Sequence, residues 1–576
     1  MKILLTAVNA KYIHSNLAVY SLKAYANAYA GGENNIELAE YTINHRVDEI
    51  LQDLFKKKPD ILAFSCYIWN MDIIEKLLPD LAKVLPGTKI WAGGPEVSYD
   101  AEEFLQEHPE VTGVMAGEGE ETFCELVQGK NPKQIKGLIF RDNEGKILRT
   151  PSRPCMDMDR LPFPYNGLEE LENRIIYYES SRGCPFSCSY CLSSIDKSVR
   201  FRSTETVKRE LQFFLNHKVP QVKFVDRTFN CRHSHSLELW RYIKEHDNGI
   251  TNFHFEIAAD ILNEEELAVL ESMRPGLVQL EIGVQSTNLQ TIKEIDRVMD
   301  FEHLKAIVKR LQRAENIHLH LDLIAGLPWE DYESFVNSFN DVYNLHPEQL
   351  QLGFLKVLKG SKMHQKAQEY GICYHTDPVY EVFSTRWISY EEILRLKDVE
   401  EMLEVYYNSN QFANTVRYLE KEFETPYRMF EELAMFHAEK GYSGQKISRQ
   451  ARFEILREFI RSRTEETVYD ELLLLDLYLR ENSKSRPEWA PDLSIYKKTV
   501  YEFFGREEEK RKFLPDYEGR SAKQLMHMTH MEKFGTDICE TGVEGEHWIL
   551  FDYRRRNPLT QDAYIQDVSE GVKNDD

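Results

Sequence analysis

Short apolar runs alternate with stretches of helical periodicity through the first 150 residues. Lys2–Val8, Ile36–Tyr41, Asp60–Cys66, Lys89–Ala92 and Val111–Ala116 read as strands. Leu17–Tyr29, Val47–Phe55, Ile73–Val84 and Glu120–Gln128 read as the helices between them. This alternation predicts a doubly wound, Rossmann-like α/β domain over residues 1–150, with a parallel sheet covered on both faces. Residues 151–172 carry four prolines and little periodicity, and read as a linker. Alternation then resumes over 173–379. Ile175–Glu179, Gln221–Val225, Phe253–Ala258, Leu277–Val284, His318–Ile324 and Leu350–Lys356 are the expected strands, with helices after each of the first five. Six such units predict a partial (β/α)6 barrel of the TIM type. Residues 380–576 instead place Leu, Tyr and Phe at helical spacing and read as a mostly helical domain, with one strand at His547–Tyr553 and an unstructured tail from Glu570.

In doubly wound sheets ligands bind at the carboxyl ends of the strands. The distinctive segments of the first domain fall there. They are the loop after the first strand, beginning at Asn9; the loop with Cys66, Trp69 and Asn70; Gly93-Gly94-Pro95-Glu96; and Gly117-Glu118-Gly119-Glu120. Four such loops on one edge favour a binding site, although each glycine alone is equally well explained by a turn.

Composition narrows the function classes. The 576 residues are 42% hydrophobic and 29% charged, as expected of globular domains with real cores. The net charge of −24 repels phosphate backbones, which disfavours a nucleic-acid partner. No apolar run approaches the roughly 18 residues of a membrane span, and Met1–Ser15 lacks the core and cleavage site of a signal peptide. A cytoplasmic protein is expected. Nine cysteines in so long a chain are not a disulfide framework; clustered cysteines in a reducing compartment bind metal or do chemistry.

The strongest chemical signal is Cys184-Pro-Phe-Ser-Cys188-Ser-Tyr-Cys191, after Ser180-Ser181-Arg182-Gly183. Four cysteines saturate a cubane iron–sulfur cluster, so three leave one iron without a protein ligand. A vacant position marks a reactive metal rather than a structural one. Zinc is the competing reading, but it would want a fourth Cys or His nearby, and Cys231 and His233 lie about forty residues on.

The C-x3-C-x2-C spacing, with Tyr190 before the last cysteine and a barrel strand in front, resembles the radical S-adenosylmethionine (radical SAM) superfamily over about residues 173–360. The resemblance implies a four-iron four-sulfur cluster on Cys184, Cys188 and Cys191. It also implies S-adenosylmethionine on the open iron, and reductive cleavage to a 5′-deoxyadenosyl radical. It further implies an electron donor such as flavodoxin or ferredoxin. Candidate cofactor contacts are Tyr190, within the cysteine motif, and Asp226, Glu256, Glu281, Gln285 and Gly326, at or near strand ends. The family's Gly-Gly-Glu type segment is replaced here by Val225-Asp226-Arg227, which leaves Asp226 a weaker match. For each single residue, barrel packing or helix capping is an equal alternative.

The Gly93–Glu96 and Gly117–Glu120 loops, ahead of this barrel, resemble the cobalamin-binding domain of the superfamily's cobalamin-dependent branch, in a subgroup with an uncharacterised helical C-terminal domain. A nucleotide- or flavin-binding domain of the same fold is the alternative. The Asp-x-His-x-x-Gly motif that supplies a histidine to cobalt is absent, which implies a vacant or water-bound lower face. The combination implies methylation of an unactivated carbon, with cyclisation or oxidation without methyl transfer as the runner-up. A non-catalytic sensor binding both cofactors is the reading from another class. A transfer-RNA methylthiolating enzyme would want a second cysteine cluster and a basic module. No catalytic residue and no substrate, small molecule or peptide, is readable.

Overall fold

The computed structural model describes residues 1–31, 35–168, 171–483, 485–538 and 543–573. The chain divides into two compact units. One comprises Met1–Ser338 with Gln351–Ile393, the other Phe339–Leu350 with Leu394–Asp576.

The first unit opens with β1 (Lys2–Asn9), α1 (Leu17–Tyr29), β2 (Asn35–Thr42), α2 (Val47–Lys57), β3 (Ile61–Ser65), α3 (Met71–Val84), β4 (Lys89–Gly93), α4 (Pro95–Ser98), α5 (Ala101–Glu107), β5 (Val111–Met115) and α6 (Glu120–Val127). Then come β6 (Leu138–Arg141) and β7 (Ile147–Arg149). The sheet order is β2-β1-β3-β4-β5-β6-β7. The first five strands are parallel; β6 and β7 extend the edge antiparallel, a hairpin too short to stand out as a sequence pattern. Successive side chains on β1 enter opposite cores. Leu4 and Val8 join Leu62 and Ile74 on one face, and Ile3 and Leu5 join Val19 and Phe123 on the other. Each such burial stabilises by about 1.5–3 kcal/mol, so near-continuous apolar strands are what a doubly covered sheet requires.

Residues 151–168 form no strand, and their one regular element is a 3-10 turn at Met158–Arg160. Next come β8 (Ile176–Tyr178), β9 (Ser181–Arg182), β10 (Arg200–Phe201), α7 (Thr204–Asn216), β11 (Gln221–Phe224), α8 (His233–Glu245), β12 (Asn252–Ile257), α9 (Glu264–Glu271), β13 (Val278–Gln285), α10 (Leu289–Glu294), α11 (Phe301–Gln312), β14 (Ile317–Ala325), α12 (Tyr332–Tyr343) and β15 (Gln349–Phe354). The six long strands form an open sheet in the order β15-β14-β13-β12-β11-β8, the partial barrel expected. Helix starts are set by side-chain caps: Asn263 and Glu266 form a capping box on α9, and Asp300 caps α11.

Here the two faces differ. Val278, Leu280, Ile282 and Val284 of β13 are buried, as are Ile317, Leu319, Leu321 and Leu323 of β14. The alternating positions are Gln279, Glu281, Gly283 and Gln285, and His318, His320 and Asp322. Lys223 on β11 reaches Glu281 on β13 across β12, at 2.9 Å, which a concave inner face permits.

The unit closes with β16 (Cys373–Tyr374) and β17 (Val382–Ser384), an antiparallel pair. The second unit is mostly helical, but its end departs from the lone strand expected. Three antiparallel strands, β18 (Thr529–Thr536), β19 (Glu544–Arg556) and β20 (Ala563–Asp567), pack their apolar face on Phe503, Phe504 and Leu525. Ser569–Lys573 form a helical turn rather than an unstructured tail; residues 574–576 lie outside the described residues.

Candidate functional site: a cysteine loop beside two strand-end edges

The three cysteines occupy one loop between β9 and β10, which pair antiparallel and close its neck. Gly183 turns the chain into the loop at φ 95°. A Cβ there would fall 2.7 Å from the Ser198 carbonyl, so only glycine fits. The loop is tied to its surroundings by backbone bonds. Cys184 N–H donates to the Asp196 carbonyl, Ser189 N–H to Ile295, and Met363 N–H to the Ser189 carbonyl.

All three thiols are free; Cys184 and Cys188 are buried and Cys191 is half-buried. Burial pushes the Cys184 thiol up, and Cys191 and Cys188 add to the shift, so the three feel one another electrostatically. Three thiolates held together need a positive centre. Among the described residues, however, no three His, Cys, Asp or Glu side chains converge on a single metal ion. Three sulfur donors on one loop are the ligand type that iron–sulfur clusters take.

From sequence alone, a lone arginine such as Arg297 reads as a carboxylate partner or a solvated side chain. Its Nη1 lies 3.8 Å from Cys188 Sγ and its Nη2 donates to the Gly283 carbonyl, so it joins the cysteine loop to the inner face of β13. Its only sequence signal was position after a strand end, more than a hundred residues from the cysteines. Tyr190 lies in the same environment: burial raises its pKa, and Arg297 opposes that shift.

The strand ends around this loop are strained. Thr228 after β11, Gln285 at the end of β13 and Trp329 after β14 have φ of 69°, 75° and 66°. Such conformations cluster at ligand sites. Gln285 is 8% exposed, and its Oε1 is buried without a hydrogen-bond partner. An orphaned buried acceptor at a strained strand end is a place for a donor from a ligand.

The other candidates are held more tightly. Asp226 accepts from Ser180 N–H at 2.9 Å, Ser180 Oγ at 2.6 Å and Ser181 Oγ at 2.7 Å; burial pushes its carboxyl up to about 6 against those bonds. It braces the strand that leads into the cysteine loop. Glu256 pairs with Arg227 at 2.8 Å. Glu281 accepts from Lys223 and from His254 at 2.9 Å each. Gly326 lies against Val382 of β17.

On the first sheet, the loop side chains divide into a scaffold and a rim. Asn9 donates to Glu40 at 2.9 Å. Asn70 is fully buried and donates to the Val8 and Ser65 carbonyls. Cys66 is also fully buried, and burial pushes its thiol up to about 12. These three shape the loops. Trp69 instead is 40% exposed, stacks on Tyr67 at 4.4 Å, and donates to the Val8 carbonyl at 3.2 Å. With Tyr12, Ile13 and Tyr99 it forms an exposed apolar rim along the strand ends. Gly93 ends β4 and Gly94 (φ 114°) backs directly onto the Cys66 carbonyl, where any Cβ would clash. Pro95 starts α4, and Glu96 accepts from Tyr380 and faces Lys359 at 3.6 Å. Above Gly117 there is open space; at Gly119 a Cβ would meet only Leu22. Glu118 and Glu120, read from sequence as ligand contacts, form ion pairs with Arg200 and Arg182. His14 Nδ1 lies 2.7 Å from the Tyr177 hydroxyl of β8, His45 Nδ1 accepts from Thr42 N–H, and His108 lies beside Glu110.

Residues 3–127 match the B12 binding domain family and residues 178–342 the Radical SAM superfamily. The chain carries a B12-binding domain followed by a radical SAM domain. Residues 368–551 match a third family, described as a protein of unknown function (DUF4080). The chain's relatives include the cobalamin-dependent radical SAM methyltransferase TokK of Streptomyces tokunonensis, 25% identical over 55% of this chain and 50% of that one. Another is the 2-(S-pantetheinyl)-carbapenam-3-carboxylate methyltransferase of Streptantibioticus cattleyicolor, 28% identical over 48% of this chain and 44% of that one. The chain thus spans about half the length of these relatives. The solved structure of OxsB, a cobalamin-dependent S-adenosylmethionine radical enzyme, with aqua-cobalamin and S-adenosylmethionine bound, is similar with a TM-score of 0.57. The match has 15% identity and covers 82% of this chain and 78% of that one, a likeness of fold. Among the described residues, no helix is long and apolar enough to cross a membrane.

Proposed function

We propose that this protein is a cobalamin-dependent radical SAM methyltransferase acting on an unactivated carbon. The observation that carries this reading is the joining, in one compact unit, of a B12-binding family domain and a radical SAM domain whose three cysteines share one loop. Cys184, Cys188 and Cys191 would hold a four-iron four-sulfur cluster, and Arg297 would stabilise the negative charge on the Cys188 sulfur. Gln285 offers its free acceptor to S-adenosylmethionine. The stacked Trp69–Tyr67 pair and the open space over Gly117 suit a large flat ring system such as a corrin. When bound, the cluster and S-adenosylmethionine supply hydrogen-atom abstraction and cobalamin supplies the methyl group. The domain limits proposed are 1–150, 151–172, 173–379 and 380–576. A reducing compartment, the cytoplasm, suits the free thiols, and a flavodoxin- or ferredoxin-type donor suits the cluster.

The test is product analysis after anaerobic reconstitution with iron and sulfide, then addition of hydroxocobalamin, dithionite and S-adenosylmethionine. Wild type should form 5′-deoxyadenosine and S-adenosylhomocysteine. Cys188→Ala should lose the first, and omission of cobalamin the second. Deoxyadenosine alone would shift the assignment to a cyclase or oxidoreductase.

A further inference from the structure

The Gly117–Glu121 loop is wired to both sides of the neck that carries the cysteines. Arg182, two residues before Cys184, donates to Glu120 at 2.5 Å and to Glu179 at 2.9 Å, and lies 3.5 Å from Glu118. Arg200, on the opposite strand of the neck, pairs with Glu118 at 2.7 Å and with Asp196 at 2.9 Å; the Asp196 carbonyl in turn accepts from Cys184 N–H. Glu118 also accepts from Met156 N–H at 2.8 Å, which threads the linker through the same knot. Both guanidinium groups are mostly buried, and Glu120 is only 7% exposed. Two arginines, one on each strand of the neck, thus grip one loop of the other domain. Planar guanidinium groups fix direction as well as distance.

We propose that Arg182 and Arg200 are positioning residues that clamp the cysteine loop to the Gly117–Glu121 loop, so that the cysteines respond to what the B12-binding edge holds. The loop that resembled a ligand cradle is on this view a coupling device. Its Glu118 and Glu120 carboxylates face the neighbouring domain, while its glycine at 117 faces open space. The response to cobalamin rests on the functional reading above; the clamp itself does not.

Glu121 is the internal control. It lies in the same loop and pairs with Arg153 and Arg160 of the linker, at 3.0 and 2.9 Å, without touching the neck. In cofactor-free protein, the rate of Cys184 alkylation by iodoacetamide is read by peptide mass spectrometry. Glu120→Gln and Arg182→Lys should accelerate labelling by about tenfold, the factor that loss of one charge-assisted bond gives. Glu121→Gln should stay within about twofold of wild type, as expected for a site with no shared partner. Equal acceleration in Glu120→Gln and Glu121→Gln, or none in either, would overturn the clamp. A second arm uses reconstituted protein and the rate of iron loss to a chelator. Hydroxocobalamin should slow that loss in wild type and Glu121→Gln but not in Glu120→Gln. Protection that persists in Glu120→Gln, or is missing from wild type that has bound cobalamin, would overturn the coupling. If wild type binds no cobalamin, the functional reading fails, and the alkylation arm still decides the clamp.

Discussion

The two large sheets of the first unit spend their faces differently. The N-terminal sheet is apolar on both, so consecutive residues such as Leu4 and Leu5 enter separate cores. The barrel sheet is apolar only on its helix side. Its concave side presents Tyr177, Lys223, His254, Glu281, His320 and Asp322. A doubly covered sheet leaves only its strand-end loops for a ligand, and the exposed rim around Trp69 lies there. An open barrel can offer the face of the sheet itself.

The contrast breaks most visibly under truncation. Leu4→Ala and Leu5→Ala should each destabilise by about 2–5 kcal/mol in urea unfolding, because each leaves a cavity in a different core. On β14, Leu321→Ala should cost about the same, whereas its neighbour Asp322→Asn should cost under about 1 kcal/mol. Equal costs at 321 and 322 would show that the concave face is packed rather than open.

Next is a pH effect on the barrel's rim. Glu330 is buried against Ser286 and Ser338, and burial pushes its carboxyl up to about 7. Its folded value exceeds the unfolded one of about 4.3. Stability is therefore lost as pH rises between the two, at up to about 1.4 kcal/mol per pH unit, and is constant above. Glu330→Gln should abolish that slope in melting curves taken from pH 4.5 to 7.5. An unchanged slope would reassign it to another group. The smallest expected effect on stability is at Trp69. Trp69→Ala should change it by less than about 1 kcal/mol, since the ring is partly exposed, while weakening hydroxocobalamin binding measured by equilibrium dialysis.

Both sheets were legible because their strands are short apolar runs set between helical periodicities, and the periodicity is what packing demands. The hairpin β6–β7 and the strands β18 and β20 were not. Strand β18, Thr-His-Met-Glu-Lys-Phe-Gly-Thr, buries Met531 and Phe534 but dilutes them with charge. Buried Glu532 reads as surface until Arg486 is found beside it at 2.7 Å. The site follows the same rule. Cys184, Cys188 and Cys191 announce themselves by spacing, a local property. Arg297 beside Cys188, and the Arg182 and Arg200 partners of Glu120 and Glu118, are long-range pairings that no local pattern encodes. Glu118 and Glu120 were therefore placed on a ligand, when their nearest charges belong to the adjoining domain.

The most direct test is the iron and cobalt content of one anaerobically reconstituted preparation, for wild type and for the Cys184/Cys188/Cys191→Ala triple variant. Wild type should carry about four irons and one cobalt per chain, and the variant should lose the iron while keeping the cobalt. Iron retained by the triple variant, or cobalt absent from wild type, would contradict a chain that holds both cofactors in separate domains.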